Sequence, residues 1–168
     1  MKIYPEKEYL LYPDQSEIKI NIQVANERLI AAEFLFEKEL FSDAVNRGYY
    51  SMFHAVTAIL LQNRITVKTH TGLIAKFGEI FIQPGTIDRE YGRMLARAEE
   101  LREKADYSLL SPITREQAEM VVKNARSFLE EIKKTYISLK PAIIKHNKYL
   151  AIQPDASCCI MGQTRYPD

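Results

Sequence analysis

The sequence predicts an all-α protein, an up-and-down antiparallel bundle of four to five helices. Three observations predict it. Apolar residues recur at intervals of three and four along most of the chain, the period of a helix with one buried face. Glycine is scarce, six residues of 168. The links between periodic stretches are short, which makes consecutive helices antiparallel neighbours.

The first helix is expected to start near Asp14 or Ser16, because "DQSE" sets Glu17 three residues after Asp14 in the spacing of a capping box. Ile18, Ile22, Ala25, Leu29, Ala32 and Phe36 mark its buried face, and it ends near Leu40. Ser42 is the expected N-cap of a second helix running to about Gln62. That helix has a wide apolar stripe of Ala44, Val45, Tyr49, Phe53, Val56, Ile59 and Leu60, wider than one core face needs. Contacts on two sides are expected, the domain core and a partner chain. Thr69 or Thr71 caps a short third helix in "TGLIAKFGEIFI". Pro84 and Gly85 break the chain, and Thr86 caps a fourth helix to about Lys104. Thr114 and Gln117 of "TREQ" form a capping box for a fifth helix, which reaches about Leu139 before Pro141 interrupts it, with a last piece over 142–150. Residues 14–150 are read as one domain, 1–13 as an N-terminal extension and the aperiodic 151–168 as a flexible tail.

Composition narrows the function. A chain of 168 residues holds one domain with a real core. The net charge of +1 argues against gripping nucleic acid by bulk charge, leaving only a local basic patch. No stretch approaches a membrane span, and "MKIYPEKEYLLYPD" lacks the apolar core of a secretory signal. Cys158 and Cys159 are adjacent and complete neither a disulfide framework nor a metal set, which fits a reducing cytoplasm. Three histidines without carboxylate–histidine spacing predict no metal and no cofactor.

The chemistry concentrates in "NRGYYSMFHA". Arg47 and His54 are seven residues apart, about 700° of helix rotation, so they share a face about 10 Å apart along the axis. Tyr50 and Ser51 lie between them, Asp43 one turn before Arg47, and Asn46 beside it. Two readings fit: an Asp43–Arg47 ion pair plus a hydrogen-bonded core histidine, or a site. As a site, the imidazole is a general acid/base and the guanidinium holds a phosphate, enough to cleave RNA by attack of a ribose 2′-hydroxyl without metal. One histidine does not readily serve both the attacking and the leaving oxygen, and a symmetric dimer would supply a second set. Lys68 and His70 sit just before the third helix, where a phosphate could be received. Arg89, Arg93 and Arg97 form a stripe interleaved with Glu90, Glu99, Glu100 and Glu103, which reads as a solvated ion-pair face or a track for a phosphate backbone. Asp106 is unfavourably placed for the helix dipole at that helix's end and calls for a tertiary partner. Gly48, inside a helix, is read as drift or as a close helix–helix approach such as a dimer seam.

"FSDAVNRGYYSMFHAVTAILLQ" resembles the signature helix of HEPN-domain proteins, in the branch with an arginine, six residues and a histidine. The resemblance continues through "VKTHTGLIAKF", "LREKADY" and "ITREQAEMVVKNARSFLEEI", from Val24 to Lys134. It implies a helical bundle that dimerises through the helix carrying Arg47 and His54. It also implies a metal-independent endoribonuclease, the toxin beside an antitoxin nucleotidyltransferase. Arg47 and His54 would be catalytic, and Asp43, Asn46, Tyr50, Ser51, Lys68 and His70 would bind or orient RNA. Other members of the family bind nucleotide or a partner without catalysis. Active members often carry a polar residue directly after the arginine, where this chain has Gly48, for which Asn46 or Asp43 would substitute. Some carry a nucleotidyl-accepting tyrosine two residues after the histidine, where this chain has Val56.

Overall fold

The computed structural model describes residues 15–107 and 112–150, the last eleven of them and Tyr107 by backbone alone. Its helices are α1 (Gln15–Glu37), α2 (Phe41–Gln62), α3 (His70–Phe77), α4 (Arg89–Tyr107) and α5 (Arg115–Leu150). Among the described residues there is no strand, and no helix is long and apolar enough to cross a membrane. The residues up to Ile137 form one compact unit, and a second begins at Ser138. Asp14, residues 108–111 and the tail with Cys158 and Cys159 lie outside the described residues.

Helix boundaries follow backbone geometry where side-chain capping was expected. The amide of Leu40 bonds to Leu35 O at 2.9 Å and that of Glu39 to Phe36 O at 3.0 Å, with Glu39 left-handed at φ 61°. This is a Schellman closure, and it ends α1 at Glu37. Leu40 itself is the N-cap of α2 and makes no side-chain cap bond, so Ser42 lies inside the first turn, not at the cap. The same closure ends α2, with Ile65 bonded to Leu60 O at 3.0 Å and Arg64 at φ 61°. Thr69 caps α3, its Oγ1 accepting from Gly72 N at 3.0 Å. The chain then widens through one π-helical turn, Gly78–Ile82. Asp88, not Thr86, opens α4, its carboxylate accepting from Glu90 N at 2.8 Å. The Thr114–Gln117 box forms as read, at 3.1 and 3.3 Å. Helix α5 continues through Pro141, where an interruption was expected.

The four long helices α1, α2, α4 and α5 alternate in direction. Ile18 meets Ala58 and Leu61, and Ala32 meets Ala44, so α1 and α2 are antiparallel. Arg126 reaches Glu33 while Lys133 reaches Asn26, so α5 is antiparallel to α1. Helix α2 runs through the middle. Thirteen of its residues are buried, against α1, α3, α4 and α5. Its wide stripe is therefore covered by this chain's own helices, and no second chain is needed to account for the width. Gly48 is part of that packing. A Cβ there would lie 2.9 Å from Val121 Cγ1 and 3.7 Å from Val121 O, so its closeness serves α5 and not a dimer seam. Beyond it, Phe77, Phe81, Tyr91 and Phe128 form an aromatic cluster with centroids 5.6–5.9 Å apart. Burying one such side chain contributes about 1.5–3 kcal/mol.

Candidate functional site

Between Asp43 and Gln62, seven residues of α2 escape full burial: Asp43, Asn46, Arg47, Tyr50, Phe53, His54 and Thr57. Their spacing of three and four makes one continuous strip along the helix. The strip is bordered by α1 on one side and by α3 and α4 on the other. Polar groups therefore sit on the one line where a nearly buried helix meets solvent.

On the α1 side, His54 is half-buried, with Nδ1 3.0 Å from Asn21 Oδ1. Asn21 donates its own amide Nδ2 to Glu17 O at 3.0 Å, which turns its oxygen toward the imidazole. His54 Nδ1 must then carry the hydrogen, and Nε2 keeps its lone pair. Burial holds the imidazole below its ordinary pKa, and the charge of Arg28 adds to the effect. His54 is thus a neutral base at pH 7. Arg28 and Asn21 are two turns apart on the same flank of α1. Neither Arg28 nor Arg47 has a hydrogen bond or an ion pair among the described residues, whereas Arg97, Arg102, Arg115 and Arg126 each meet a carboxylate. The Asp43–Arg47 pair is not formed, because both side chains extend into solvent.

On the other side, His70 lies against Tyr49, Tyr50 and Phe53, with ring centroids at 5.7, 6.0 and 4.7 Å. Its Nδ1 is 2.7 Å from the hydroxyl of Tyr49 and 3.9 Å from Glu99 Oε2. Tyr49 is fully buried, and burial, with the hydrogen-bonded Glu99 second, raises its phenol far above the ordinary value. Glu99 pairs with Arg102 at 3.3 Å, and Arg102 bonds Asp106 at 2.9 Å while covering the Tyr49 ring. Asp106 also accepts from Asn46 Nδ2 at 2.9 Å. The tertiary partner expected for Asp106 is therefore Asn46.

The HEPN family model matches residues 18–135 of this chain. The chain belongs to the HEPN-domain family. It is similar to two Methanocaldococcus jannaschii proteins described as candidate toxins. One is 42% identical over 120 residues, covering 71% of this chain and 89% of the relative. The other is 36% identical over 122 residues, covering 73% and 83%. A UPF0332 protein of Thermotoga maritima is 34% identical over 118 residues, covering 70% and 89%.

In this HEPN domain the residues singled out from sequence fall into three groups. Arg47, Tyr50 and His54 share the strip with Asp43 and Asn46, and His70 borders it. Lys68 is exposed two residues before His70. Ser51 is not on the strip. It is fully buried and donates its hydroxyl to Ala25 O at 2.8 Å, clipping α2 to α1. Val56 is fully buried as well. Of the arginine stripe, Arg97 pairs with Glu100 at 2.7 Å, while Arg89 and Arg93 are exposed. Sequence reasoning missed Asn21, Arg28, Phe53 and Glu99 as site neighbours. One signal was available: Asn21 and Arg28 repeat the seven-residue spacing of Arg47 and His54 on the preceding antiparallel helix.

Proposed function

We propose that this HEPN domain is a metal-independent endoribonuclease, a cytoplasmic toxin held in check by a nucleotidyltransferase and working as a homodimer through α2. One observation carries the reading. His54 keeps a free Nε2 with the Arg28 guanidinium as its charged neighbour, Arg47 lies two turns away on the same face of α2, and neither cation has a carboxylate partner among the described residues. Unpaired cations next to a neutral imidazole suit an incoming phosphodiester. His54 Nε2 takes the proton of the ribose 2′-hydroxyl as that oxygen attacks phosphorus. Arg28 and Arg47 hold the non-bridging oxygens, and the products are a 2′,3′-cyclic phosphate and a 5′-hydroxyl. Tyr50 offers a ring edge to a base, Asp43 and Asn46 border the arginines, and Lys68 meets a flanking phosphate. The second copy faces the same strip. The names of the two M. jannaschii relatives support the toxin role.

Gly48 favours a second reading, a nucleotide-binding module without turnover. The position after Arg47 carries no polar group, and Val121 leaves no room for one. The test is RNA cleavage in excess chelator. The ribonuclease reading expects fragments with cyclic phosphate ends and a loss of about 10²–10⁴-fold in His54→Ala, with the helical circular dichroism unchanged. Absence of cleavage, with saturable nucleotide binding that Arg47→Ala weakens, selects the module.

A further inference from the structure

We infer that His70 is the second acid/base of the reaction, the group that protonates the leaving 5′-oxygen, so that one chain carries both imidazoles. The inference rests on the ribonuclease reading above. It starts from Phe53, which has both histidines as neighbours: His54 edge-on at 5.6 Å and 88°, His70 tilted over its face at 4.7 Å and 31°. The two imidazoles are therefore both neighbours of a single phenyl ring on one strip.

Their surroundings suit opposite roles. Tyr49 has one proton and two acceptor sites. The Tyr49 hydroxyl and His70 Nδ1 share a hydrogen bond at 2.7 Å, and the Glu99 carboxylate, which only accepts, lies 3.9 Å from the same nitrogen. Nδ1 is thus engaged by Tyr49, and the side chain is still 39% exposed. The charged and titratable groups facing His70 are Tyr49 and Tyr50 from α2 and Glu99 with its partner Arg102 from α4. Glu99 places a carboxylate 3.9 Å from His70 Nδ1. His54 faces the opposite kind of neighbour, the cation Arg28. A base belongs beside the cation and an acid beside the carboxylate.

The step balances. The 2′-oxygen gives its proton to His54 Nε2 and forms a bond to phosphorus. The bond from phosphorus to the 5′-oxygen breaks, and that oxygen takes a proton from His70 Nε2. The cyclic phosphate and a 5′-hydroxyl leave, with His54 protonated and His70 neutral. Exchange with solvent resets both.

The test compares two substrates that share the attacking group and differ in the leaving group. One is an RNA dinucleotide, whose 5′-oxygen needs a proton. The other is a nucleoside 3′-(4-nitrophenyl) phosphate, whose phenolate leaves without one. The assignment expects His70→Ala to slow the dinucleotide by about 10²-fold or more and the nitrophenyl ester by no more than a few-fold. His54→Ala slows both. The falling alkaline limb of the wild-type pH–rate profile also disappears in His70→Ala, because an acid must be protonated to act. Equal losses on both substrates, or no loss on either, overturn the assignment while the ribonuclease reading stands. If wild-type protein cleaves neither substrate, that reading falls and this one with it.

Discussion

The two flanks of the α2 strip are built from the same residue types and arranged in opposite ways. On the α1 flank, His54 sits beside Arg28, with Arg47 two turns along the same helix face, and neither guanidinium meets a carboxylate among the described residues. On the α4 flank, His70 sits beside Glu99, which pairs with Arg102, and Arg102 is also met by Asp106. The paired flank is finished within the chain: each charge has a partner, and the network fixes an imidazole. The unpaired flank is left open to an anion from outside. A count of arginines and histidines would score the two flanks alike. What separates them is where the carboxylates fall.

The largest change to that contrast is expected from Glu99→Gln. It removes the charge that Arg102 and the Tyr49–His70 pair both use, at sites only 13–15% exposed. Losing hydrogen bonds to a charged group costs about 1.5–3 kcal/mol, so the midpoint of urea unfolding falls with the m-value unchanged. An unchanged midpoint would mean that the network does not hold the paired flank together.

A smaller effect is expected from Arg28→Ala. The variant loses one of two phosphate contacts, about tenfold in kcat/KM, and the salt dependence of cleavage becomes shallower. It also moves the pH dependence in a fixed direction. Burial first and this cation second hold the imidazole below its ordinary pKa, so removing the cation lets that pKa rise. A base acts when deprotonated, so the rising limb shifts to higher pH. A shift to lower pH, or none, would remove Arg28 from the site.

The fold was largely legible from sequence because it depends on periodicity and punctuation. The helical spacing from Ile18 to Phe36 and the "TREQ" box describe elements that form as read. The errors were local. Ser42 and Thr86 are residue types that cap helices, but a Schellman turn at Glu39 and the carboxylate of Asp88 took those roles. Capping depends on backbone dihedrals that residue type only biases. Half of the candidate site was legible too, since helical spacing alone puts Arg47 and His54 on one face. The other half is tertiary. Nothing near His54 in sequence names Asn21, and the apolar width of α2 could not distinguish a partner chain from α1, α3, α4 and α5 of the same chain.

The state of His54 decides whether this site can act, and long-range ¹H–¹⁵N NMR of ¹⁵N-histidine protein observes that state directly. The account predicts hydrogen on Nδ1, a bare Nε2 and a titration midpoint below the ordinary histidine value of about 6.5. It also predicts that the midpoint rises in Arg28→Ala. Hydrogen on Nε2, or a midpoint above the ordinary value, would contradict it, because His54 would then be unable to accept the 2′-hydroxyl proton in the way the rest of the site requires.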